Sequence, residues 1–63
     1  MSTHQTLSDA LKALPADAVW SASFGNPGES GYSEYHRASN GRRFRVDRVE
    51  SASITWAVTQ DQP

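Results

Sequence analysis

Asn40-Gly41 stands between two runs of alternating residues, YSEYHRAS (32–39) and RRFRVDRV (42–49). Both residues of the pair accept positive φ, which a type I′ turn requires at its two central positions, so the dipeptide reads as the tip of a β-hairpin. This commits the middle of the chain to two antiparallel strands, Tyr32–Ser39 and Arg42–Val49. A two-residue loop also sets their register. On one side Ser39 faces Arg42, Arg37 faces Phe44 and Tyr35 faces Val46; on the other Ala38 faces Arg43, His36 faces Arg45, Glu34 faces Asp47 and Tyr32 faces Val49. The first set holds Tyr35, Phe44 and Val46 and is expected to meet the core. The second is expected to be the wet face, carrying Arg43, Arg45, His36, Glu34 and Asp47. Strand side chains alternate with period two, so a slip of one residue reverses the assignment.

The flanks supply what the hairpin packs against. Thr6 and Asp9 have capping-box spacing, and Leu7, Ala10, Leu11 and Leu14 follow the i, i+3, i+4, i+7 pattern of one helical face. Pro15 disfavours helical geometry at Leu14, so the spacing predicts a helix over about 7–14. Two turns are not stable alone, so the leucine face must lie on a sheet. VWSASF alternates Trp20, Ala22 and Phe24 against Val19, Ser21 and Ser23 and reads as a strand over about 18–25, with Trp20 and Phe24 inward. Ala52, Ile54, Trp56 and Val58 alternate in a further strand, Ser51–Thr59. Between the first two strands GNPGESG (25–31) is a loop dense in Gly and Pro. Residues 1–5 and 60–63 are polar and expected to fray. The fold expected is α+β, in the order α-β-β-β-β: one short N-terminal helix on one face of a four-stranded antiparallel sheet.

A chain of 63 residues is expected to form one domain, 1–63. The core candidates are Leu7, Leu11, Leu14, Val19, Trp20, Phe24, Tyr35, Phe44, Val46, Ile54, Trp56 and Val58. There is no cysteine, which removes disulfides and cysteine–zinc sites and agrees with a reducing cytoplasm. No apolar run approaches the roughly 18 residues of a membrane span. MSTHQTLSDALKAL has neither the basic start nor the apolar stretch of a secretory signal, so a cytoplasmic protein is expected.

Charge is distributed unevenly. The net charge is −1, yet residues 36–48 carry five of the six basic side chains (Arg37, Arg42, Arg43, Arg45 and Arg48) against Asp47 alone. The rest of the chain sets Lys12 against Asp9, Asp17, Glu29, Glu34, Glu50 and Asp61. Arginine matches carboxylate or phosphate bidentately and stacks on rings, so Arg43, Arg45 and His36 form a candidate binding stripe on the open face, with Arg42 and Arg37 near the hairpin tip. The plainer reading is a solvated sheet face on which Glu34 and Asp47 neutralise the arginines. GNPGESGY lacks the following helix that a phosphate-cradling loop opens, and reads as a connector or a recognition loop presenting Glu29 and Tyr32. By its phase Tyr32 falls on the open face beside Val49, where an exposed aromatic would mark an interface. Glu34 and His36 share a strand face and could form a general base, but on a flat wet surface such a pair is ordinarily an ion pair. No catalytic residue, metal ligand or cofactor is assigned.

These residues fit action by contact rather than chemistry: a non-catalytic protein-binding module using Arg42, Arg43, Arg45, Tyr32, Glu29 and His36. In length, compactness and lack of cysteine the chain resembles the small inhibitors made by phages and mobile elements, including anti-CRISPR proteins. That resemblance implies a protein partner within a host nucleic-acid-handling complex, blocked by occupation of a charged surface. The acidic residues, as a nucleic-acid mimic, rank below the arginines because they are scattered. The alternative is a small nucleic-acid-binding regulator using the hairpin 36–48, although such domains usually have a pI above about 9 and this chain's is about 6.0. No membrane partner is expected, and a homodimer is compatible with the small core.

Overall fold

The computed structural model describes residues 2–62. The elements are β1 (Ser2–His4), α1 (Leu7–Lys12), β2 (Val19–Phe24), β3 (Ser33–Arg37), β4 (Arg43–Glu50) and β5 (Ile54–Gln62), with a short 3₁₀ turn at Ser39–Gly41. The fold is α+β, and all strand pairs are antiparallel in the order β1-β5-β4-β3-β2. The sheet thus has five strands, not four. Ser2–His4, expected to fray, pairs with Val58, Ala57 and Trp56. At the other end β5 continues to Gln62. Met1 and Pro63, the outermost of the residues expected to fray, lie outside the described residues.

Thr6 caps α1 from an extended conformation (φ −132, ψ 155), its Oγ1 accepting the Asp9 N–H at 3.1 Å. The helix ends at Lys12, and the expected last turn tightens: Ala13 and Leu14 donate to the carbonyls of Ala10 and Leu11 at 3.1 and 3.2 Å. These are i→i+3 bonds, the usual way an α-helix narrows before a proline. Ala10 is fully buried, and Leu7 and Leu14 pack beside it on Val46, Trp56, Val58 and Tyr32. Ala10 is the close-approach point because its methyl lets the helix backbone settle on the sheet. The helix lies chiefly over β1 and β5.

The hairpin turn sits where the sequence indicates, but it holds three residues. Asn40 (φ 63) and Gly41 (φ 75) both take positive φ, and the Ala38 N–H closes the turn on the Arg42 carbonyl at 3.0 Å. Ser39 joins the turn because Asp17 holds it: Oδ2 accepts the Ser39 N–H at 3.0 Å and also the Ser39 hydroxyl. Register therefore shifts by one, to Arg37 opposite Arg43, His36 opposite Phe44, Tyr35 opposite Arg45 and Glu34 opposite Val46. On β4, Phe44 and Val46 stay inward as expected. On β3 every side chain changes face. Tyr32, Glu34 and His36 are buried on the helix side; Ser33, Tyr35 and Arg37 line the other.

β2 breaks the expected alternation. A bulge between Trp20 and Ala22 sets Trp20 opposite His36, but Ala22 opposite Tyr35 and Phe24 opposite Ser33. Trp20 and Ser23 thus share the helix side, while Val19, Ala22 and Phe24 share the open side. Trp20 and Phe24, read as core, are 57% and 60% exposed. The physical reason is position: β2 is an outer strand, and α1 covers the opposite half of the sheet. Trp56, on the covered half, is buried as expected at 8%.

Candidate binding surface

The face turned away from α1 carries Phe24, Tyr35, Arg37, Arg43 and Arg45. Tyr35 is its centre. The Phe24 ring meets it edge-on, with centroids 5.9 Å apart at 87°, and the Arg43 guanidinium carbon stands 5.0 Å from the centre of the Tyr35 ring. The edge-on aromatic pair and the cation over a ring are both favourable quadrupole contacts. Arg43 is held from its far side by Asp61, whose Oδ2 accepts from Nε at 3.1 Å and Nη2 at 2.6 Å. Arg45 donates from Nε to Asp47 Oδ2 at 2.8 Å, and Asp47 Oδ1 accepts the Ser33 hydroxyl at 2.6 Å. Asp47 beside it, and the Tyr35 hydroxyl as a hydrogen-bond acceptor, push the Arg45 guanidinium still further towards the charged form. Arg37 is exposed, and among the described residues it is the only arginine without an ion-pair partner. A depression of about 260 Å³ lies between these groups, lined by Ser21, Ala22, Phe24, Tyr35, Arg37 and Arg43.

The six residues expected to form one site do not share one surface. Arg43 and Arg45 lie together on the open face. Arg42 points to the helix side, 5.9 Å over the Phe44 ring, with Nε donating to the Ser39 carbonyl at 3.2 Å and Nη2 to Asp17 at 3.4 Å. It staples the turn. Glu29 sits in the exposed loop, its Oε1 accepting from Asn26 Nδ2 at 2.6 Å. Tyr32 and His36 are buried on the far side, so their expected place on the open face is corrected by the register shift.

What replaces that expectation is a closed polar chain within the core. The Tyr32 hydroxyl donates to Glu34 Oε1 at 2.6 Å, and Glu34 Oε2 meets His36 Nε2 at 2.5 Å. Both carboxylate oxygens are engaged, which is what a buried carboxylate requires. The Tyr32 ring packs edge-on against Trp56, with centroids 6.1 Å apart. Burial, and then the hydrogen bond to Glu34, push the Tyr32 hydroxyl up to about 12. His36 also borders a cleft of about 390 Å³ whose lining includes Trp20, Leu11, Leu14 and Lys12. Asp47, which the expected polar cluster included, belongs to the opposite face.

Sequence reasoning read Tyr35 and Phe24 as core and placed Arg37 near the hairpin tip; it did not bring the three together on the open face. The i, i+2, i+4 spacing of Tyr32, Glu34 and His36 was the available signal, since three mutually bonding side chains on one strand face can satisfy one another when buried. No family model, curated protein or solved structure matches this chain.

Proposed function

We propose that the protein is a non-catalytic binding module that engages an acidic protein surface through its open sheet face. The observation that carries this reading is the Phe24–Tyr35 pair, Phe24 exposed and Tyr35 half-buried, flanked by Arg37 and Arg43. Tyrosine and arginine are enriched where interface energy concentrates, because each combines a large apolar or planar surface with directional polar groups. Arg43 and Arg45 are already oriented by Asp61 and Asp47, so little side-chain freedom is lost when a carboxylate docks. Arg37 supplies the charge left over. Following the resemblance to small phage inhibitors, we assign the partner to a nucleic-acid-handling complex whose charged surface the module occupies.

One observation favours a second reading. Ring faces beside arginines on an open sheet also suit the stacking of unpaired bases, which makes single-stranded nucleic acid the alternative ligand. A tagged pull-down with and without nuclease, paired with an Arg37→Glu/Arg43→Glu variant, separates the two. The protein reading expects one stoichiometric partner that survives nuclease and is lost with the variant. Retention of that partner by a folded variant overturns the site. Capture that vanishes with nuclease, with affinity falling against salt at a log–log slope of about −0.7 per phosphate contacted, moves the ligand to nucleic acid.

A further inference from the structure

The cleft beside His36 lies on the helix side of the sheet, apart from the open face. Its walls are held from both directions. On one side α1 ends in the tightened turn of Ala13 and Leu14, and the next turn closes with the Ala18 N–H on the Pro15 carbonyl at 3.0 Å, while Asp17 within it is tied to Ser39. On the other side Trp20 and His36 face each other across β2 and β3, which brings their Cβ atoms to about 5 Å. The cleft measures about 390 Å³, within the range of small-molecule sites and near its lower end. Two polar groups open onto it. Among the described residues Lys12 has no carboxylate partner, and no carboxylate lines the cleft. His36 is only 7% exposed; its Nε2 is taken by Glu34, and its Nδ1 has no hydrogen bond among the described residues. None of their buried side-chain nitrogens is left without a partner, so Nδ1 meets solvent, and the space that His36 borders is this cleft.

We propose that this cleft binds a small hydroxyaryl carboxylate: one aromatic ring with a hydroxyl at one end and a carboxylate at the other. The ring is what the apolar lining recognises. Trp20 offers an exposed indole face for offset stacking, and Leu11 and Leu14 supply methyl groups from the end of α1. The carboxylate answers Lys12, an unpaired ammonium in a cleft with no competing acid among its described lining residues. The hydroxyl answers His36. Glu34 accepts the Tyr32 hydroxyl at Oε1 and meets His36 Nε2 at Oε2. A carboxylate only accepts, so the hydrogen of that second bond sits on Nε2, and Nδ1 of the neutral ring is an acceptor. A ligand hydroxyl donates to that lone pair, and because it also accepts, it fits the charged ring equally. A bare phenyl ring would displace water from Nδ1 and leave it without a partner.

The ligand is one ring in size and the cleft is open to solvent, so binding is modest, with a Kd of about 0.1–1 mM. The ion pair at Lys12 is exposed and contributes about two- to fivefold. The hydrogen bond to Nδ1 contributes about three- to tenfold. The inference does not rest on the acidic-partner reading, which concerns the opposite face of the sheet: it stands or falls whether or not Arg37 and Arg43 engage a partner.

Titration of 4-hydroxyphenylacetate into the isotope-labelled full chain, followed by nuclear magnetic resonance to concentrations well above that Kd, tests it. The expected result is a saturable shift of the Trp20 indole N–H and of the His36 ring signals, while Trp56, which does not border the cleft, stays unmoved. Phenylacetate lacks the hydroxyl and should bind about three- to tenfold more weakly, a comparison that tests His36 without disturbing the buried chain it belongs to. 4-Hydroxyphenylacetamide lacks the charge and should bind about two- to fivefold more weakly to the wild type, but as well as the acid to Lys12→Gln. Lys12 is exposed, so that variant keeps the fold. The proposal is overturned by the absence of a saturable Trp20 shift, by equal shifts of Trp20 and Trp56, or by phenylacetate binding as tightly as the hydroxylated acid. A Lys12→Gln chain that still prefers the acid to the amide overturns it equally.

Discussion

The two tryptophans occupy equivalent places in the sequence pattern and opposite environments in the fold. Trp20 and Trp56 each sit in an alternating strand, and each points to the helix side of the sheet. Trp56 lies on β5, beneath α1 and against Tyr32, and is buried; Trp20 lies on β2 and is more than half exposed. Alternation says which side of a sheet a residue takes. It does not say whether anything covers that side. In a chain this short one two-turn helix covers only half a sheet, so the core forms under it on the β4–β5 half, and the outer strand β2 keeps the Trp20 and Phe24 rings exposed. The stable half and the interactive half are continuous through β3, whose inward residues complete the core while Tyr35 and Arg37 face out.

The sharpest way to break this contrast is to truncate both tryptophans. Trp56→Ala should cost about 3–5 kcal/mol, enough to unfold much of the population, whereas Trp20→Ala should stay within about 0.5 kcal/mol when measured by urea. Equal losses would mean that both halves of the sheet are covered. Next is the polar chain at the boundary. Glu34→Ala leaves the Tyr32 hydroxyl and His36 Nε2 without their partner and should cost about 1–3 kcal/mol. Glu34→Gln should cost less, because an amide still bonds to one of them. Asn40→Val should cost about 1–2 kcal/mol, because a β-branched side chain resists the positive φ of the turn, while Asn40→Gly should be nearly neutral.

The smallest effects are those of pH. The Tyr32 hydroxyl is raised from 10.0 to about 12 in the folded chain. The unfolded chain therefore loses this proton first as pH rises. The contribution of Tyr32 is full below pH 10, declines as pH climbs from there, and is gone above about 12. Comparison of wild type with Tyr32→Phe in urea melts across that window should reveal the decline only in wild type. At the acid end, the Ser39 hydroxyl and then the Ser39 N–H hold the Asp17 carboxyl below 3.8. Its contribution is present above 3.8 and lost as pH falls through the lower folded value, so Asp17→Asn should flatten the acid limb of the melting curve.

Much of the fold was legible. Thr6 marked the helix start, Pro15 its end, and the alternation of Ile54, Trp56 and Val58 marked the strand that carries the core. Asn40-Gly41 marked the turn. The register was not legible, because Ser39 is drawn into the turn by Asp17, 22 residues earlier, and no local pattern reports so distant a contact. The slip moved Tyr32, Glu34 and His36 inward and Tyr35 and Arg37 outward, so the candidate site inherited the error residue by residue. Arg43 and Arg45 survived because β4 kept its phase. The β2 bulge was hidden for a related reason: VWSASF alternates convincingly by composition, but its phase is set by pairing with β3. Ser2–His4 has no apolar pattern at all and becomes a strand only because β5 offers it an open edge.

The pairing of β3 with β4 decides which side chains face a partner, so it is the point to test first. Cross-strand nuclear Overhauser contacts between backbone protons in an isotope-labelled sample report it directly. The slipped register predicts contacts between Arg37 and Arg43, and between Tyr35 and Arg45, with His36 opposite Phe44. Contacts of Arg37 with Phe44 and of Tyr35 with Val46 would contradict it, return Tyr32 and His36 to the open face, and remove the surface on which the proposed function stands.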